Sequence, residues 1–109
     1  MANTDQTTTS TNESETKLKI PFRVYKRPNG RRVEEMFTCG SKETYDSAMA
    51  VLKEGYFFEA EVLMTGQVSV TCFDPEEETD VAIEICSNGP AVVEAIDKLV
   101  ASAFKIAFP

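Results

Sequence analysis

KLKIPFRVYKRPNGRRVEEMFTCG, residues 17–40, reads as two strands folded about a turn. From Leu18 the apolar and polar residues alternate. Ile20, Phe22 and Val24 point one way, Lys19, Arg23 and Tyr25 the other, which is the period of a half-buried strand. Pro28-Asn29-Gly30 supplies turn residues, and RRVEEMFTCG runs back. Two geometries compete at the turn. A type I turn closed by a left-handed Gly30 makes a three-residue loop with a bulge. A two-residue Asn29-Gly30 turn instead sets Phe22 opposite Phe37 and Ile20 opposite Cys39, but Pro28 then has no N–H for the ladder. The hairpin is expected; its register stays open, and a slip of one residue reverses every side chain.

Downstream of the hairpin, GSKETYDSAMAVLKEGY reads as a helix. Ser41 is placed as its N-cap, with Glu43 in the first turn and Asp46 just after it, where acid suits the helix dipole. Tyr45, Ala48, Met49 and Leu52 make the apolar stripe and Gly55 ends it. YFFEAEVLM follows as a strand with Phe58, Ala60, Val62 and Met64 on one face. QVSVTCFD is the next, with Val68, Val70 and Cys72 inward. DPEEETD forms an acidic turn, and DVAIEICS is a strand expected to point Val81, Ile83 and Ile85 inward and Ala82, Glu84 and Cys86 outward. After Asn88-Gly89-Pro90 a final helix carries Val92, Ile96, Leu99 and Ala103, widened by Val93, Val100 and Phe104. Pro90 suits its first turn.

The order is ββαβββα. The economical architecture is an α+β fold, an antiparallel sheet with both helices packed on one face. The other face is then polar and acidic, presenting Glu59, Glu61, Ser69, Thr71 and Glu84. From residue 41 onward, αβββα is similar in topology to double-stranded-RNA-binding domains. Those domains grip phosphates with a basic cluster opening the last helix. Here that helix begins GPAVVEAIDK, with Glu94 and Asp97 ahead of Lys98, so no function is carried over.

Charge is distributed unevenly. The 109 residues carry a formal charge of −7. Residues 1–16 hold three acids and no base, residues 17–32 seven Lys/Arg and no acid, residues 33–109 fifteen acids against four bases. The opening MANTDQTTTSTNESET has no large apolar side chain after Met1 and cannot offset the entropy of ordering, so residues 1–16 are expected to be a disordered polar tail and residues 17–109 a single domain. A basic start followed by an apolar run would mark a secretory signal, and neither is present. No apolar stretch reaches the roughly 18 residues of a membrane span. The expectation is a cytoplasmic protein without membrane contact.

Cys39, Cys72 and Cys86 form no CxxC pair and read as reduced thiols, with Cys72 inward and slow to react and Cys86 outward. Histidine is absent, which removes the commonest general base and metal ligand. Structural zinc sites use closely spaced ligand pairs, and DPEEETD lacks the EF-hand glycine, so neither a metal nor another cofactor is expected. Glu59, Glu61 and Glu84 have no apolar pocket in the sequence to raise one pKa, and no catalytic residue is assigned.

The basic hairpin stands above this background. Its charges can guard a sheet edge, pair with the chain's own acids, or meet an anionic partner. Arg23, Lys26, Arg27, Arg31 and Arg32 are the candidate partner-binding residues. The expected function is a small non-enzymatic protein-interaction or self-associating module, with an acidic protein or a second copy as partner. The alternative is a nucleic-acid-associated protein contacting phosphates through residues 17–32, although nucleic acid is not the expected partner.

Overall fold

The computed structural model describes residues 18–26 and 30–109. The tail assigned to residues 1–16, and Arg27 at the turn, lie outside the described residues. Seven elements follow in the expected order: β1 (Lys19–Lys26), β2 (Arg31–Thr38), α1 (Lys42–Lys53), β3 (Phe57–Val62), β4 (Val68–Asp74), β5 (Thr79–Cys86) and α2 (Ala91–Ala107). They build an α+β fold with one five-stranded sheet, ordered β2-β1-β3-β4-β5.

The hairpin register is neither of the two anticipated. Lys26 pairs with Arg31, Phe22 with Glu35 and Ile20 with Phe37. The connection between the paired ends is therefore four residues long. It is closed by the Gly30 N–H donating to the Lys26 carbonyl at 2.8 Å, with Gly30 at φ 70°, a conformation that glycine adopts at no steric cost. Residues on β1 keep the predicted faces: Ile20 and Phe22 are fully buried and Val24 nearly so.

The sheet is mixed, not purely antiparallel. β1 pairs with β3 in parallel, through Arg23–Tyr25 against Glu59–Glu61. The cause lies in the connection. β2 ends opposite the start of β1, and α1 returns the chain to that same end before β3 begins. β3 thus runs against β2 and along β1. The parallel ladder starts beyond Pro21, which has no N–H to give it.

A second departure concerns β5. It pairs antiparallel with β4, but Phe73 faces Asp80 while Cys72 faces Ala82. Val81 is the extra residue of a bulge, and past it the alternation is reversed. Val81 still packs against the core, as expected. Ile83 and Ile85, expected inward, are 56% and 53% exposed on the opposite face. Ala82, Glu84 and Cys86, expected outward, share the face of the buried Val68, Val70 and Cys72.

Both helices cover that buried face. α1 is capped by Ser41, whose side chain accepts from the Thr44 N–H at 3.1 Å. It buries Ala48 and Val51. α2 buries Ala95, Ile96, Leu99, Val100 and Ala103; Phe104, expected to widen this stripe, is 37% exposed. Phe22 centres the core, its ring 4.7 Å from Phe37 and 5.4 Å from Phe58. Among the described residues no helix is long and apolar enough to cross a membrane.

One polar tie joins the loop before α1 to α2: the Gly40 N–H donates to Asp97 Oδ1 at 3.0 Å. A Cβ at residue 40 would overlap the Asp97 carboxylate. Asp97→Ala should therefore cost about 1 kcal/mol, a fall in Tm of roughly 4–8 °C for a domain of this size. Gly40→Ala should cost a similar amount, and the double variant less than the sum, because both remove the same bond. Thermal melts of the three variants check this; strict additivity would mean that the two residues do not act together.

Candidate functional site: the uncovered sheet face

One face of the sheet packs under the helices, and the other is left open. Alternation along the strands decides what the open face carries. From β2 it receives Arg32, Glu34 and Met36, from β1 Pro21, Arg23 and Tyr25, and from β3 Phe57, Glu59 and Glu61. β4 contributes Ser69, Thr71 and Phe73. β5 contributes Asp80 and, because of the bulge, Ile83 and Ile85.

Charge runs in rows across this face. Glu34, Arg23 and Glu59 are direct neighbours on three adjacent strands. The Arg23 guanidinium is ion-paired with Glu59 and lies 4.0 Å over the Phe57 ring. The pair is largely shielded, with 28% and 15% of the two side chains exposed, and Arg23 Nε is buried without an acceptor. In the next row Arg32 donates to the Tyr25 hydroxyl at 2.6 Å and sits 5.0 Å from that ring's centre. The Tyr25 hydroxyl, then Glu59, stabilise the Arg32 cation and push its pKa up.

The sequence-predicted site residues are thus distributed as follows. Arg23 and Arg32 meet on the open face. Lys26 and Arg31 stand opposite each other on the helix side of the hairpin, where Lys26 pairs with Glu35 at 2.7 Å. Arg31 also has a partner within the chain. The four described residues are not gathered on one outward patch, and Arg27 lies outside the described residues.

The other half of the face is acidic. Between Lys53 and Lys98 the chain has eleven Asp/Glu and no Lys/Arg, and this stretch supplies β3, β4 and β5. A depression of about 310 Å3 is lined by Tyr25, Glu59, Glu61, Thr71, Asp80 and Ile83. Ile83, on its rim, and Ile85 next to it are both exposed. These two isoleucines are what sequence reasoning missed: the alternation V-A-I-E-I was visible, but its direction depended on the bulge.

The remaining reactive groups are quiet. Cys72 is fully buried, and burial, with help from Asp74 and Asp80, pushes its thiol up to about 12. Burial also raises Cys39 and Cys86. Tyr56 is raised by burial and by Asp74. The acids of the β4–β5 turn have a local role, since the Asp74 carboxylate accepts from the Glu76 N–H at 2.9 Å. Among the described residues no three Cys, Asp or Glu side chains converge to hold a metal ion. No known family, curated protein or solved structure matches the chain.

Two outcomes are expected. Glu59→Ala leaves the shielded Arg23 without its counter-charge and should cost about 1–3 kcal/mol in urea unfolding. Replacing both Arg23 and Glu59 by Leu should cost less than the two single changes together; a full additive loss would show that the pair is not coupled. In native-state alkylation at pH 8, Cys72 should stay unmodified while the half-buried Cys86 reacts, because only the thiolate is the nucleophile. Rapid labelling of Cys72 would mean that the centre of the sheet opens.

Proposed function

We propose that this chain is a non-enzymatic protein-interaction module, and that its uncovered sheet face receives a protein whose contact surface is apolar and basic. The observation that carries the reading is the outward placement of Ile83 and Ile85, side by side on one strand, on the face that the two helices leave uncovered. Scattered exposed apolar residues are ordinary, whereas adjacent ones on an open face form a contact patch. The charge at the centre of the face suits burial: Arg23 is already matched by Glu59, so covering it leaves no bare cation.

The same pairing bears on the other partners considered. A phosphate backbone is held by lysines and arginines whose charge is uncompensated, and Arg23 and Lys26 are each bonded to a carboxylate. Association of two copies, basic pole to acidic pole, draws on the same charges that already meet inside one molecule. A catalytic reading finds raised thiols and, in the sequence, no histidine. What the face has in surplus is negative charge beside apolar surface.

The test is copurification from the native cell with the intact chain and with Ile83→Ser/Ile85→Ser, each checked for an unchanged fold. Met64→Ser, which removes a residue 91% exposed in the β3–β4 turn, serves as the control. The double variant should lose its partner at least tenfold, about 1.4 kcal/mol or more, and the control should keep it. Retention of the same partner by the double variant would remove the sheet face from the interaction.

A further inference from the structure

We infer that β5 is a strand-accepting edge, at which an extended segment of another protein, alternating apolar residues with Lys or Arg, adds as a sixth strand. The inference rests on the interaction reading above and specifies the partner's conformation and charge.

The two edges of the sheet are not equivalent. β2 is guarded: Arg31, Arg32, Glu34 and Glu35, all exposed, place charge on both of its faces, which is how natural sheets discourage a further strand. β5 is guarded mainly at its start, where Asp80 and the bulge at Val81 lie. Its stretch Val81–Ile85 holds one charged residue, Glu84. Beyond the bulge, Ala82–Cys86 pairs regularly with Val68–Cys72, so the opposite side of β5 presents a regular row of backbone donors and acceptors. Among the described residues no strand lies outside it.

The side chains along this edge specify what can sit there. On the open face an incoming strand meets Ile83 and Ile85. On the helix face it meets Ala82, Glu84 and Cys86. Successive residues of a strand point to opposite faces, so an alternating apolar and basic segment sets its apolar residues beside the isoleucines and a base beside Glu84. Directly opposite pairs of this kind are the favourable ones in sheets. A second copy of β5 brings Asp80 and Glu84 but no base into a neighbourhood already rich in Glu59, Glu61 and the Asp74–Glu78 turn. The chain's own basic strand, β1, is bonded on both sides. The occupant is therefore a different protein, recognised by backbone pairing together with its charge.

The experiment titrates the full chain with an acetylated peptide of alternating lysine and valine, long enough to span Ala82–Cys86, and follows hydrogen exchange of the sheet amides. The peptide should slow exchange in β5 and leave β2 unchanged. The same peptide with glutamate for lysine should not bind. A copy N-methylated along one edge should bind at least tenfold more weakly, since it loses the ladder hydrogen bonds. Glu84→Lys should reverse the preference, admitting the glutamate peptide and weakening the lysine peptide at least tenfold. Binding that ignores N-methylation, or that protects no β5 amide, overturns strand addition while leaving the sheet face as an interaction surface. Failure of the lysine peptide to bind also overturns it. So does a chain that sediments as a dimer with β5 protected and is not dissociated by the peptide, for the edge then belongs to a second copy.

Discussion

The structure depends on a seam of three residues. The hairpin β1–β2 and the meander β3–β5 are each held by long antiparallel ladders, but among the described residues their backbones pair with each other only where Arg23–Tyr25 run beside Glu59–Glu61. Parallel pairing is slightly weaker per residue than antiparallel, and this one is short. Side chains on both faces reinforce it. Below the sheet, Phe22 of β1 stacks on Phe58 of β3, worth about 0.5–1.5 kcal/mol beyond the area buried. Above it, Arg23 pairs with Glu59 and covers Phe57. The apolar clamp supplies the burial, and the ionic clamp gives the seam its register, because a shift along the parallel strands separates Arg23 from Glu59.

This arrangement answers why a strongly acidic chain concentrates its bases in one hairpin. The seam joins the basic part of the chain to the acidic part, so opposite charges become neighbours across the sheet. Arg23 reaches Glu59 on the far side of the seam, while Lys26 finds Glu35 on its own hairpin. Of the residues that look like an arm for an outside partner, Arg23 binds the two halves of one sheet. Burying the Arg23 pair costs desolvation, so its contribution lies in specifying which strands meet at least as much as in net stability.

Much of the fold was legible in the sequence, because it is written in local periodicity. The alternation through Ile20, Phe22 and Val24, the stripe Ala48–Met49–Leu52 and the cap at Ser41 each depend on neighbours a few residues away. What was not legible was long-range. The parallel seam follows from where α1 delivers the chain, and nothing near Arg23 or Glu59 announces it. The hairpin register required choosing among turns of different length, and the chain used a longer one than the Asn-Gly signal suggests. The bulge at Val81 is a single added residue, yet it reverses the faces of Ile83, Glu84, Ile85 and Cys86. The candidate site suffered most from this: its arginines were visible as a cluster, but their partners and the two isoleucines beside them were not.

The charges consumed in folding and those left over define the surface that remains. On the edge strand β2 two bases, Arg31 and Arg32, stand with two acids, Glu34 and Glu35, and charge lies on both of its faces. On the meander, residues 57–86, there are eight acids and no base, and Glu59 is the one bonded to Arg23. The unspent negative charge therefore gathers where the sheet is also least guarded and most apolar, along β4 and β5. An acidic field acts over a Debye length of about 8 Å at physiological salt, enough to orient a basic segment before contact and too short to capture one from afar. Apolar surface at Ile83 and Ile85 then supplies the non-directional part of the attraction, and the open backbone of β5 the directional part. These three features coincide on the same strand because one bulge turned its isoleucines to the face that the helices leave open.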